Sequence, residues 1–269
     1  MIGATVRQSS GRLGLRLASG VVLAAVAIGA VVAGHPYFEA VIALFGAAMG
    51  WEWFCISTGK RFGAAAAILM AVPIGVAWCA GIGSYGSAML VIVAGGALAA
   101  GLGRGLAGWL VAGVGYVGLS CLALLWLESD PENGRSFLIW MFLLVWATDI
   151  GAYAMGRAAG GPKLAPRISP NKTWAGLVGG MVAAAAVGGV SAWALGLGAS
   201  VWPAAGAAFL LAVVEQGGDL AESAMKRHFG VKDSSGLIPG HGGVMDRVDG
   251  LVVVAMALAL LRITGLLGL

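Results

Sequence analysis

Residues 105–127 read GLAGWLVAGVGYVGLSCLALLWL, 23 positions without an acidic or basic side chain. A helix rising about 1.5 Å per residue needs about 20 apolar residues to cross the roughly 30 Å hydrocarbon layer of a bilayer, so this stretch can span one. Working outward, comparable runs occupy 84–101, 62–82, 36–56 and 17–34 on one side and 136–156, 174–197, 201–222 and 248–268 on the other. The expected fold is all-α, a polytopic transmembrane helical bundle of about nine spans, forming one domain over 1–269. Composition agrees: 59% of the 269 residues are hydrophobic and 10% charged, against about 25% charged in soluble domains. One soluble core could not hide that much apolar surface. The 46 glycines suit close helix contacts, and the 10 tryptophans suit the headgroup level.

An odd number of crossings puts the termini on opposite sides, so the basic residues test both count and direction. With a cytoplasmic N-terminus, the inside segments hold Arg7, Arg12, Arg16, Lys60, Arg61, Arg104, Arg157, Lys163, Arg167, Lys172, Lys226, Arg227, Lys232 and Arg247, fourteen of sixteen. Arg135 falls in an outside loop and Arg262 near the outer end of the last span. The positive-inside rule therefore favours nine spans with the N-terminus in the cytoplasm. A cleaved signal ending near Ala30 to Ala33 would fit the basic N-terminus, but the first span reads better as a retained anchor. The cations are dispersed over several loops without interleaved aromatics, which excludes a nucleic-acid face and leaves anionic lipid and phosphorylated substrates as partners. Cys55, Cys79 and Cys121 lie singly in apolar segments, so neither a disulfide framework nor a thiolate metal site is encoded.

Residues 1–135 are poor in polar groups, and their role is unassigned. Glu52 reads as an interface acid paired with Lys60 and Arg61. Seven of the twelve acids lie from Asp149 onward, which makes 136–269 the catalytic half. Asp149, in WATDIGAY, carries an insertion cost of about 2.5 to 3.5 kcal/mol at a helix centre and so suggests a purpose. The loop GRAAGGPKLAPRISPNKTWAG (156–176) combines four cations with three prolines and reads as a stiff anion-binding connector. In the eighth span Glu215, Asp219, Glu222 and Lys226 are spaced by 4, 3 and 4, which lays three acids and a base along one helical stripe. Like charges at that spacing call for a counter-cation, either lysine or a hard metal such as magnesium. Ser223 can join it. Beyond lies ESAMKRHFGVKDSSGLIPGHGGVMDRVDG (222–250), where Lys226, Arg227, Lys232 and Arg247 supply charge. Gly240, Gly242 and Gly243 would let backbone amides cradle phosphate. His241 could donate to phosphate, act as a general acid or stabilise the turn. No P-loop, HExxH or GxSxG occurs.

The order Ser223, Lys226, Arg227, Lys232, Asp233, Pro239, His241, Gly242, Gly243, Asp246, Arg247 and Asp249 resembles the signature of the phosphatidate cytidylyltransferases, or CDP-diacylglycerol synthases. That signature is a serine, then KR, then KD, a PxHGG turn and a closing DRxD. WATDIGAYAMGR and KLAPRISPNKTWAG also look like family segments, so the resemblance covers about 140–250. It implies transfer of a cytidylyl group from CTP to phosphatidate at the cytoplasmic face of the membrane, giving CDP-diacylglycerol and pyrophosphate. Magnesium would be held by Asp219 and Asp246, with Glu222 and Asp249 behind them and Ser223 beside the metal. Lys226, Arg227, Lys232 and Arg247 would hold the nucleotide phosphates. Lys172 and the loop Ser169 to Thr173 would hold lipid phosphate or nucleotide, with Asp149 orienting a cation. Asp233, Gly242, Gly243 and His241 complete the candidate site. Lys226 is expected to be an exposed interface cation contributing little to stability. The resemblance leaves room for a second cation and for a homodimer, to which the GxxxG pairs Gly46/Gly50 and Gly176/Gly180 are weak pointers. Competing readings are a CTP-dependent kinase or transferase acting on another lipid, an ion-coupled transporter using Asp149 and Glu215, and a membrane scaffold.

Overall fold

The computed structural model describes residues 2–103, 105–198 and 200–266, with side chains described from residue 18 onward. The side chains of Arg7, Arg12 and Arg16, and all of Arg104, therefore lie outside the described residues. Among those described, nine helices follow in order: α1 (Ile2–Ala33), α2 (Tyr37–Thr58), α3 (Ala64–Gly81), α4 (Tyr85–Leu102), α5 (Ala107–Glu128), α6 (Gly134–Ala159), α7 (Trp174–Ala194), α8 (Val201–His228) and α9 (Met245–Ile263). Seven of them, α2 through α8, are long and apolar enough to cross a membrane. The described apolar part of α1, Ala18–Ala33, is shorter, and α9 opens with Asp246, Arg247 and Asp249. The protein is an integral membrane helical bundle.

Its surface agrees. Trp78, Leu90, Leu210 and Trp202 are 73%, 68%, 65% and 83% exposed, while Glu52, Glu215, Glu222 and Lys226 are buried. Apolar groups facing outward and charges facing inward suit a lipid surround.

One departure from a purely helical chain lies between α6 and α7. The proline-rich connector folds as a hairpin of β1 (Lys163–Ala165) and β2 (Ser169–Thr173), pairing Lys163 with Thr173 and Ala165 with Ser169. Thr173 then caps α7, its Oγ1 accepting from the Gly176 amide at 3.0 Å. A capped helix following directly on a strand explains why this connector is stiff.

Glycine sets how closely the helices approach. Gly50 of α2 lies against the backbone of Leu69 in α3, and Gly46 against Pro73 and Cys121. Gly176 and Gly180 of α7 face the backbone oxygens of Ala152 and Thr148 in α6. Both GxxxG pairs are thus used within the chain, which removes them as pointers to a dimer.

At one end of the bundle Arg262 of α9 pairs with Asp130 in the α5–α6 turn at 2.7 Å. The Asn133 amide bonded to Asp130 is the main reason its carboxyl sits below the usual carboxylate range, with burial acting against and Arg262 helping. At the other end Trp51 donates to the Arg61 carbonyl and Trp53 to that of Trp109, tying α2 to the α2–α3 loop and to α5. The hairpin, the end of α8 and the start of α9 share that second end, where the polar residues gather.

Gly50→Val would push methyl groups into the Leu69 backbone, whereas Gly115 faces open space. Overpacking of this kind costs about 1–3 kcal/mol. Thermal unfolding in detergent should show Gly50→Val melting well below wild type and Gly115→Ala close to it.

Candidate active site

Helix α8 supplies the spine. On its exit turns Glu215, Gln216, Asp219, Glu222, Ser223 and Lys226 project toward the hairpin, α2 and α9. Ser223 Oγ donates to Asp219 Oδ1 at 3.2 Å, one turn back. Lys172, reaching across from β2, pairs with Asp219 Oδ2 at 2.6 Å and donates to Gln216 Oε1 at 2.8 Å. Gln216 in turn donates to Glu215 Oε2 at 2.9 Å. One turn further on, Lys226 Nζ bridges Glu222 Oε1 at 2.9 Å and Asp246 Oδ1 at 2.6 Å. The counter-cations demanded by the acid stripe are therefore lysines in this structure, one from the same helix and one from the hairpin.

Lys226 corrects the expectation of an exposed cation. It is 8% exposed, because it sits between two carboxylates on helices that pack together. Removing it would strand both acids.

Asp246 opens α9, where the helix dipole favours an anion. Its Oδ2 accepts the Ser234 amide, the Ser234 hydroxyl and the Gly243 amide, each at 2.8 Å. Beside it lies the residue that sequence reasoning misread. Glu52 of α2 is fully buried and forms no ion pair with Lys60 or Arg61 among the described residues. Its Oε1 accepts the Val244 amide at 2.8 Å and the Ser235 hydroxyl at 2.5 Å, and its Oε2 accepts the Met245 amide at 2.7 Å and the Ser234 hydroxyl at 3.2 Å. The signal was there: Lys60 and Arg61 lie eight and nine positions away, beyond the i+3 and i+4 reach of a helix pair, which left Glu52 without a local partner. Its real partners are nearly 200 residues distant in sequence.

The glycine-rich turn is thereby corrected as well. The Gly243 amide, one of those expected to cradle phosphate, is taken up by Asp246, and the neighbouring amides of Val244 and Met245 by Glu52. Gly242 has φ +89°, and a side chain at Gly243 would collide with Ser234 and Glu52. These glycines let a loop wrap the protein's own carboxylates.

The remaining residues fall into two groups. Asp149, exposed along α6, shares a cavity of about 400 Å³ with Tyr153, Arg157, Asn171, Lys172, Thr173, Gln216 and Asp219. Thr173 lines it, although its hydroxyl oxygen is engaged as the α7 cap. Asp249 is largely buried in α9 and accepts the Gly250 amide at 2.9 Å. Outside that cluster, Arg227, Lys232, Asp233 and Arg247 are exposed. Arg227 donates to the Val231 carbonyl and Arg247 to the His241 carbonyl, so both brace the loop. His241 Nδ1 pairs with Ser19 Oγ of α1 at 2.5 Å. Ser169 lies at the turn end of the hairpin and does not line the cavity.

Six acids, Asp149, Glu215, Asp219, Glu222, Asp246 and Asp249, thus crowd around two lysines. Oxygen donors and a formal excess of negative charge suit a hard divalent cation. Among the described residues no three of His, Cys, Asp and Glu already stand together as a metal cage, and lysine ammoniums lie against both Asp219 and Asp246.

A sequence profile described as the cytidylyltransferase family matches residues 14–264. The chain belongs to that family. Among similar curated proteins, the phosphatidate cytidylyltransferase of Brucella suis is 54% identical over 153 residues, 57% of this chain and 56% of the relative. The protein of the same name from Staphylococcus aureus strain COL is 40% identical over 150 residues, 56% of each chain. The matched segment thus spans little more than half the length of these relatives. The profile begins within α1 and ends just past α9, so it takes in α2 and Glu52 together with the acid cluster.

Two substitutions separate the roles inside this cluster. Lys226→Met leaves Glu222 and Asp246 buried without their shared ammonium, and breaking such a pair costs about 3–5 kcal/mol. Its unfolding midpoint in detergent should drop sharply, whereas Lys232→Met, at an exposed site, should melt like wild type. Glu52→Gln presents an amide to four donors that need acceptors, so hydrogen exchange at the Val244 and Met245 amides should speed up at least tenfold relative to wild type.

Proposed function

We propose that the protein is a phosphatidate cytidylyltransferase, making CDP-diacylglycerol and pyrophosphate from CTP and phosphatidate for phospholipid synthesis. One observation carries the reading: carboxylates of α8 and α9 gather with lysines of α8 and the hairpin at one end of a membrane bundle in a chain of the cytidylyltransferase family. The names of the relatives point to the same acceptor. The proposal includes nine crossings with a cytoplasmic N-terminus, since Lys and Arg then concentrate on the side that bears the site. Relatives from bacteria suggest an inner membrane.

The chemistry needs no protein nucleophile. An ionised phosphate oxygen of phosphatidate attacks the α-phosphorus of CTP, the bond from that phosphorus to the bridging oxygen breaks, and pyrophosphate leaves with the electron pair. What opposes the reaction is repulsion between two polyanions, so positioning and fixed positive charge matter most. Lys172, with Arg157 and Asn171 on the same cavity wall, is suited to hold one phosphate, and acyl chains would remain among the apolar helix faces. Asp149 lies where it can orient Lys172. Lys232, exposed at the rim, and the guanidinium N–H groups of Arg227 and Arg247 that do not brace the loop are placed to meet the nucleotide's outer phosphates. Magnesium would be held by Asp219 with Ser223 and by Asp246, with Glu222 and Asp249 behind them, and when bound it would offset the charge of the phosphates and of the departing pyrophosphate.

Purified protein in detergent, given phosphatidate, magnesium and each of the four nucleoside triphosphates in turn, should form a liponucleotide only with CTP and release one pyrophosphate per product. A phosphorylated lipid with CDP release, or product formed only with another lipid acceptor, would refute the reading. Asp219→Asn should cut turnover at least a hundredfold while its unfolding midpoint stays near that of wild type, because Asp219 is only partly buried.

A further inference from the structure

Helical periodicity puts Gln216 and Asp219 on one side of α8 and Ala221, Ala224, Met225 and His228 on the other, with Glu222 between. On that second side a separate cleft of about 580 Å³ opens between α8 and α5, walled by Trp53, Trp109, Tyr116, Glu222, Met225 and His228. Its size falls within the roughly 300–1,000 Å³ of small-molecule sites. Flat rings dominate its walls. Trp53 and Tyr116 have centroids 5.4 Å apart, and Trp109 and His228 are stacked at 5.1 Å.

The polar feature of this wall is Glu222. Its side chain is 2% exposed and gives Oε1 to Lys226. Oε2 is buried and has no hydrogen-bond partner. A buried carboxylate oxygen without a donor is costly to leave so. Oε2 is closed off from water in the empty cleft, so an N–H from whatever fills the cleft would reach it by a turn of the Glu222 side chain toward the space it lines. An acyl chain offers none. A planar heterocycle bearing an exocyclic amine offers the N–H and also a face to stack on the rings. The position suits a nucleotide, because Lys226 joins Glu222 directly to Asp246.

We propose that this cleft is the nucleobase pocket, with Glu222 Oε2 accepting the exocyclic amine of cytosine and Trp109 stacking on the ring. The proposal rests on the CTP reading above and adds the residue that makes the donor CTP. Uracil presents a carbonyl oxygen where cytosine presents its amine, and a carboxylate repels it. Discrimination then follows from one atom, as in other sites built to match a polar edge.

The test measures equilibrium binding of CTP and of UTP, with magnesium, to the purified full-length protein in detergent without phosphatidate, alongside turnover with phosphatidate. Wild type should bind CTP at least tenfold more tightly than UTP. Glu222→Gln should narrow that ratio tenfold or more, whereas loosening of Lys226 alone would weaken both nucleotides equally and leave the ratio unchanged. Ala221→Trp fills the cleft from its exposed rim without touching an ion pair. It should weaken CTP binding at least tenfold with an unchanged elution profile, and it decides the matter alone if Glu222→Gln does not fold. Equal binding of CTP and UTP by wild type, an unchanged ratio in Glu222→Gln, or wild-type CTP binding by Ala221→Trp overturns the proposal. So does a higher KM for phosphatidate in Ala221→Trp with CTP binding intact, which would make the cleft a lipid site. The expected binding pattern without conversion of phosphatidate by wild type would support the pocket and refute the acceptor.

Discussion

A charge at the edge of a low-dielectric layer has to be met by an opposite charge or by hydrogen-bond donors, and the acids at one end of this bundle are met from separate parts of the chain. Lys172 comes from the hairpin, Lys226 from α8, the amides of residues 234 and 243–245 from the α8–α9 loop and the start of α9, and the hydroxyls from Ser234 and Ser235. Because Asp219, Asp246 and Glu52 take partners from other elements, satisfying them brings the ends of α2, α8, α9 and the hairpin to one place. Apolar packing of the spans is permissive by comparison, since lipid and helix surfaces are alike in polarity.

A buried ion pair is a poor stabiliser when compared with well-packed apolar residues of the same size. Its retention here is better understood through the site it builds. The Lys226 bridge holds an acid of α8 and an acid of α9 at one nitrogen, and Glu52 fixes the loop between those helices from beneath. A cluster with more acids than lysines keeps an appetite for further positive charge, and the glycine contacts of α2 with α3 and of α6 with α7 supply the rigid frame that such a cluster needs.

Much of this was legible from residue order where the governing geometry is local. The apolar runs that became α2 through α8 follow from length and hydropathy alone, and the stripe of Asp219, Glu222 and Lys226 follows from helical spacing. The resemblance carried by Ser223 through Asp249 led to the family that the profile match establishes. Illegible were the partners of groups whose contacts are remote. Glu52 was assigned to neighbours with which it forms no ion pair, the Gly243 amide was left open for phosphate although Asp246 takes it, and both GxxxG pairs were offered to a second chain while serving this one. The connector between α6 and α7 was read as stiff, but its pairing as a hairpin depends on register, which proline and glycine content do not specify.

Sequence by itself determined that the chain is a membrane bundle with its ionisable groups concentrated in the second half, because bilayer thickness and helical rise convert residue counts directly into spans. Only the tertiary structure decided which acid meets which donor. Pairing energies fall off within a few ångströms, so partners as distant in the chain as Glu52 and Met245, or Lys172 and Asp219, become known only when the helices have been placed side by side.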